Sequence, residues 1–531
     1  MKKLIIKAGL LLFVATAVVS CKKDIEEKFN NPERVLNPTL PGVFTAMLNN
    51  DRVAAKYWNV RTFLTQMPGV YAQTAYISNG NTIYQQSDSY SQQYWDDFYS
   101  TGGNGSGVMA QYRVMEGTYK NLSAIEQASQ GIFMQAGKLV LIEQAAKMVD
   151  LWGDIPYSEA GSLPTSSNIS NPKYDEQKAL YTSFIADLAT IATYFKSATT
   201  TSAFSKADIL LQGSVNKWAR YANSLRLRLL MRISKTDETT ARTAVLAMLA
   251  DPTNFPLVDG DNSGNYVPGT SDILLQPLTT NTSDLHDAFL EGSWYATDYM
   301  LNSVMLPAND PRMDVVYDKY GRTTNGVFVP NATYKAMPIT FTTTQQENLY
   351  QDYSILDSAT LMFNQKLPGI VMTSSEVNLL KAEALERWGS SSDAKTAYDN
   401  ALKQSVSFYY YLNNLNQGNG FKNVTKPSDA TITTWVNSTT VAYTGSATEK
   451  LRKIATQKWT HFGVLQSTEA WSEYRRTGYP VLTFPTDGKL SGFSTPPVRL
   501  LYPAKEKSLN AANYQAVVSK DTRTTKLFWM P

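Results

Sequence analysis

Apolar positions along the 531-residue chain recur mostly at helical spacing. The densest case is the run from Asn216 to Ser234. At 100° per residue, Trp218, Ala222, Leu225, Leu229 and Ile233 share one stripe, while Leu227, Leu230 and Met231 project from the opposite side. A helix apolar nearly all round is stable only when buried among other helices. Arg220, Arg226, Arg228 and Arg232 lie on the same run and therefore need acceptors from distant segments, because a buried guanidinium without them is costly. Structural ion pairs are the expectation.

Other stretches carry the same period. Pro41 suits a first helical turn ahead of Val43, Phe44, Met47 and Leu48, and a second helical stretch is expected near Asp51 to Gln66. Helices are expected over Val108 to Ser129 and Ile132 to Val149; Lys138, Glu143 and Lys147 interrupt the second, which makes it a buried helix and no membrane span. Gly153 can cap it and Pro156 bars continuation, so Asp150 and Asp154 read as structural acids. Tyr174 to Ala198 and Glu238 to Ala250 flank the central run. Ala382, Gly389, Ala394, Tyr398 and Ala401 reproduce the small, Gly, small, aromatic, small spacing of a tetratricopeptide repeat, in which small residues let paired helices approach. One such unit cannot bury its own face, so an array is expected. Leu451, Ala455, Trp459 and Phe462 make a further stripe. Ser467 then opens a helix with Glu469 early, Arg475 and Arg476 late, and Gly478 and Pro480 as its stop.

Two segments break the period. Pro68 to Gly107 and Asn254 to about Pro368 are rich in Asn, Gln, Ser, Thr, Gly and Tyr and read as loop-rich. Flat aromatic faces beside amides suit a sugar ring, whose C–H faces stack while its hydroxyls bond to amides and carboxylates. Tyr76, Tyr84, Trp294 and Tyr295 are the candidate stacking residues; Trp95 and Tyr99, leading into the next helix, read as packing. Asp259, Asp261, Ser263 and Gly264 imitate the start of a calcium loop, but Thr270 stands where a bidentate Glu is needed, so an Asp-Gly turn is expected.

Composition alters this picture at the N-terminus. Lys2, Lys3 and Lys7 account for the whole formal charge of +3, and the remaining charges balance, which argues against nucleic acid as a partner. Two histidines, His286 and His461, and one cysteine, Cys21, assemble no zinc site of the usual spacing and no internal disulfide. Met1 to Ser20 has a basic start, an apolar run too short to span a bilayer and small residues before Cys21, as in a secretory signal. Val18, Val19, Ser20 and Cys21 resemble a lipobox, in which cleavage precedes a cysteine that is then acylated. The polar run over 21–40 reads as a flexible tether, with Lys22, Lys23, Asp24, Glu26 and Glu27 resembling an export signal to the outer face of the outer membrane.

Several words along the chain resemble one family. Trp218 to Arg232 is similar to the central helix of the SusD/RagB lipoproteins, and Trp152-Gly153-Asp154-Ile155-Pro156, Asp310-Pro311-Arg312, and the words starting at Gln457, Glu469 and Pro496 match its motifs in order. The resemblance implies a mainly α fold over residues 41–531: a tetratricopeptide-like array of helical pairs (about 41–67, 108–250 and 369–531) with a loop-rich ligand-binding subdomain inserted. It further implies a surface lipoprotein that takes up oligosaccharide for a SusC-like TonB-dependent transporter, with no catalysis and no cofactor. Peptide is the alternative ligand, since a branch of the family is known for peptide uptake. A glycoside hydrolase or a repeat scaffold are the competing classes. None of the family's motifs lies in the loop-rich segments, so ligand residues are not transferred by matching words. Glu469, Arg475, Arg476 and Arg499 are expected to be internal salt-bridge partners.

Overall fold

The computed structural model describes residues 38–53, 56–76, 83–100, 107–166, 171–260, 266–278, 283–415, 423–485 and 495–531. The signal, Cys21 and most of the tether lie outside them, as do Asp261, Ser263 and Gly264 of the calcium-like run.

Helices form over most of the stretches the period predicts, with boundaries set by capping. Helix α1 spans Leu40–Leu48, α2 Asp88–Tyr99, α3 Val108–Lys120, α4 Ala124–Trp152, α5 Gln177–Ser197, α6 Val215–Ile233 and α7 Glu238–Ala250. After α8 (Ser283–Glu291) and a strand-bearing region come α9 (Ser374–Trp388), α10 (Ser391–Asn414), α11 (Asp429–Val436), α12 (Ala447–Phe462) and α13 (Ser467–Thr477). The expected helix Val108 to Ser129 is two elements: the Ser123 hydroxyl accepts the Glu126 N–H while the Glu126 carboxylate accepts the Ser123 N–H, a capping box that starts α4 afresh. The Asp51 to Gln66 stretch forms only a π-helical segment, Asn59–Leu64, and the 68–107 segment contains α2 as well as loop.

Neighbours in sequence pack as antiparallel pairs: α3 on α4, α5 on α6, α6 on α7, α9 on α10 and α12 on α13. Ala382, Ala394, Tyr398 and Ala401 are all buried in the α9–α10 pair, as the repeat spacing requires. The architecture is thus the mainly α, tetratricopeptide-like array expected. No helix among the described residues is long and apolar enough to cross a membrane.

The central α6 is buried on all sides, and its arginines find their acceptors far along the chain. Arg228 makes a two-pronged contact with Glu376 of α9 at 2.6 and 2.8 Å. Arg232 meets Glu469 at 2.6 Å and Glu473 at 2.9 Å, both on α13, with Asp150 of α4 at 3.4 Å. The network continues through Glu473 to Lys458 and Arg476, and from both to Glu383. Burial alone would lift the Glu383 carboxyl, but Arg476 and Lys458 outweigh it and hold it down to about 2. Removing one partner here leaves an uncompensated buried charge, which typically costs about 3–5 kcal/mol.

Arg220 bonds to Asn216 and the Leu257 carbonyl as well, while the buried Nε of Arg226 has no hydrogen-bond partner among the described residues. Two arginines near the C-terminus use other acceptors. Arg475 lies over the Trp471 ring, 3.8 Å from its centroid, and donates to the Val498 carbonyl; Arg499 donates to the Trp152 carbonyl. Carbonyls and a ring face satisfy guanidinium donors in place of carboxylates there. Asp154 is structural as expected, paired with Lys520 at 2.6 Å.

The region between α7 and α9 holds short antiparallel strand pairs: β3 (Ile273–Leu275) with β8 (Gly369–Met372), β4 (Tyr317–Asp318) with β7 (Ile355–Leu356), and β5 (Gly321–Thr324) with β6 (Val327–Pro330). A further pair, β1 (Ile155–Pro156) and β2 (Tyr174–Asp175), closes the turn after α4.

Candidate aromatic binding surface

Trp294 leaves α8 on a segment fixed by backbone pairing. Its carbonyl accepts the Leu356 N–H at 2.7 Å, the Ala296 N–H reaches Ser354, and Tyr295 bridges Ile355 of β7. This pinning holds the indole half-buried at the surface beside two further rings. Tyr320 stands edge-on to it at 5.4 Å, and Tyr350 lies 6.3 Å away; Tyr320 and Tyr350 are 5.8 Å apart.

The β5–β6 hairpin extends the arc. Its tip is Asn325-Gly326, with φ of 50° and 78°, the left-handed pair that a tight two-residue turn demands. The pairing carries Phe328, 53% exposed, to 5.9 Å from Tyr320. Val327 and Val329 beside it are also exposed. Polar groups stand among the rings: Arg322 pairs with Asp352 at 2.5 Å, and the Gln351 amide donates to the Tyr350 hydroxyl at 3.3 Å. Both charges of the pair are largely solvated, so it stabilises little and is free to exchange for ligand hydroxyls. Half-exposed rings with an amide and a charged pair at their edge can stack on a sugar face and bond to its hydroxyls.

Of the four candidate stacking residues, only Trp294 is not buried. Tyr295 is 8% exposed and lies beneath Trp294 at 5.0 Å, and Tyr76, 3% exposed, stands edge-on to Tyr295 at 5.7 Å. The Tyr76 hydroxyl donates to the Pro338 carbonyl. These three rings form one chain from core to surface, in which two support the third. Tyr84 is 1% exposed, donates to the Pro485 carbonyl at 2.6 Å and packs against Phe484. The correction for Tyr76, Tyr84 and Tyr295 has a simple cause: each ring is spent on packing, and the Tyr76 and Tyr84 hydroxyls donate to internal carbonyls. Tyr320, Phe328 and Tyr350 escaped sequence reading, although the Asn-Gly turn flanked by Thr and Val was a usable hairpin signal.

Carboxylates with raised pKa are present but lie in the interior. Burial pushes Asp357 up to about 7, with Asp318 adding to the rise, and pushes Asp272 to about 7. Asp357 caps Thr360 and accepts from Asn413, and Asp272 accepts from Tyr266 and the Ser374 N–H. Asp259 of the calcium-like run pairs with Lys381 at 2.6 Å.

This frame and its inserted subdomain are those of a known class of outer-membrane-associated proteins. The profile of the SusD-like family, described as starch-binding and associating with the outer membrane, matches residues 24–503, and the chain belongs to that family. Solved structures agree on the fold. A chitin-binding protein is 24% identical with a TM-score of 0.72, covering 93% of this chain and 100% of its own. A chitin-binding SusD homolog from Flavobacterium johnsoniae is 24% identical with a TM-score of 0.68, covering 92% and 98%. A SusD homolog from Bacteroides fragilis is 18% identical with a TM-score of 0.72, covering 93% and 100%. Among curated proteins none matches the chain.

Proposed function

We propose that the chain is a cell-surface lipoprotein that binds oligosaccharide on the Trp294–Tyr320–Tyr350 arc and passes it to a SusC-like TonB-dependent transporter, without catalysis. The observation that carries the reading is the half-exposed Trp294 indole, held by backbone pairing at the centre of an aromatic surface with polar groups at its edge. Ordered rings lose little entropy on stacking and offer large flat contact. Support for a glycan comes from the family description and from two similar structures named chitin-binding. The raised carboxylates are buried with internal partners, which favours a binder over a hydrolase.

Calorimetry with malto- and chito-oligosaccharides, and with peptides as the competing ligand, tests this. Trp294→Ala should weaken oligosaccharide binding by about 2 kcal/mol, roughly thirtyfold, with the melting temperature nearly unchanged. Tyr84→Ala should instead lose about 3–5 kcal/mol of stability while the folded fraction keeps its affinity. Lost stability with unaltered affinity in Trp294→Ala, binding of peptides alone, or release of reducing sugar on incubation would each overturn the reading.

A further inference from the structure

A cavity of about 500 Å³ lies between α10, α11 and the short turn Pro268–Ser271. Its position is fixed by tight local packing. At Gly260, where φ is +73°, a Cβ would fall 2.6 Å from the Gln404 amide, so only glycine lets the chain close this near to α10. Gln404 is itself committed, donating to the Asp259 carbonyl and accepting from Asn378.

The lining of this cavity combines ring, apolar and polar groups. It includes the half-buried ring of Tyr411 with Val267 and Pro268, and the Tyr266 and Tyr410 hydroxyls are turned to internal acceptors, Asp272 and the Pro311 carbonyl. Beside Tyr411 stand polar groups with hydrogen-bonding capacity to spare; Lys403, Ser407 and Asn414 share its face of α10. The hydroxyls of Ser407 and Thr433 and the ammonium of Lys403 make no hydrogen bond among the described residues, and the Asn414 carboxamide spends only its N–H donors, on the Tyr410 and Val424 carbonyls. Polar groups that line a cavity and are not used by the fold mark where a ligand's own hydrogen bonds would go. A ring beside hydroxyl, amide and ammonium groups can stack on the C–H face of a pyranose while they bond to the hydroxyls around its rim. The volume is within the range of small-ligand sites.

We propose that this cavity is a second saccharide site, taking a neutral oligosaccharide segment with Tyr411 as its stacking face and Ser407, Asn414 and Lys403 as its hydroxyl partners. The inference rests on the glycan reading above but on a separate set of residues. A chain long enough to occupy the arc and this cavity together, or two shorter chains, gains affinity from two linked contacts.

Calorimetry with the same malto- and chito-oligosaccharides tests it in four proteins: wild type, Trp294→Ala, Ser407→Phe, which fills the cavity from a partly exposed position, and Tyr411→Ala, each with its melting temperature measured. Wild type should show two sites. Trp294→Ala should keep one, and Ser407→Phe and Tyr411→Ala should each lose that one by tenfold or more while retaining binding at the arc. One site in wild type, abolished by Trp294→Ala and indifferent to Ser407→Phe, overturns this inference and leaves the arc standing. Binding abolished by Ser407→Phe but not by Trp294→Ala upholds it and removes the arc. No binding of either oligosaccharide class by wild type overturns both.

Discussion

His461 shows how far a single residue can be taken. It is 1% exposed, and its two ring nitrogens meet the hydroxyls of Thr373 at 2.7 Å and Ser405 at 2.9 Å. Burial, with the nearby Arg312 adding, drives its pKa down to about 3. The unfolded chain takes up this proton near pH 6.5, while the folded ring resists until about pH 3. Acid therefore favours unfolding: the contribution of this ring is complete above about pH 6.5 and falls by roughly 1.4 kcal/mol per pH unit below it. Asp272 acts in the opposite sense. Its folded carboxyl, raised to about 7, is still protonated where the unfolded one is ionised, so its contribution is present in acid and lost as pH rises from about 4 through 7. In a His286→Gln protein only one imidazole remains, and its NMR signals should stay unshifted down to about pH 4; a midpoint near pH 6 would contradict the burial argument. Residue identity alone did not separate such interior groups from surface ones. Trp294, Tyr76, Tyr84 and Tyr295 look alike in sequence, yet the last three are buried and Trp294 is only partly so.

Elements were more legible than residues, because a period of 3.6 over four turns leaves few alternatives. The central helix falls at Val215–Ile233 against an expected 216–234, and α7 coincides with its expected range. Misreadings trace to local grammar that outweighs period. Apolar spacing runs on past Lys120, yet Ser123 and Glu126 start a new helix, and a capping box decides the boundary. The α9–α10 pair was legible from small residues alone, and that gives a test at this scale. Ala382 is fully buried, so Ala382→Leu forces a larger side chain into a filled interior and should cost about 1–3 kcal/mol. Urea unfolding would read this as a lowered midpoint at unchanged slope. A midpoint equal to wild type would mean that Ala382 has room beside it and that the repeat spacing is incidental.

At the scale of the whole molecule, the buried charges tie together segments that the sequence keeps apart. Arg228 and Arg232 on α6 reach Glu376 on α9 and Glu469 and Glu473 on α13, so the frame closes as a unit. The need for acceptors was visible in the sequence; which of its acids would supply them was not, since pairing is a property of the closed fold. A frame closed in this way presents its loops on a rigid support, and the remaining requirement for surface capture is attachment. Cys21 follows a short apolar run, and a polar stretch of sequence separates it from Leu40. Acylation of that thiol would hold a body with balanced charges at the membrane, where few electrostatic forces would otherwise retain it. Cys21→Ser should therefore move the protein out of the membrane fraction and abolish its protease accessibility on intact cells. Wild type solubilised in mild detergent with oligosaccharide present should bring a large β-barrel with it. Persistence of Cys21→Ser in the membrane fraction would refute the anchor, and recovery of wild type alone would refute the partnership with a transporter.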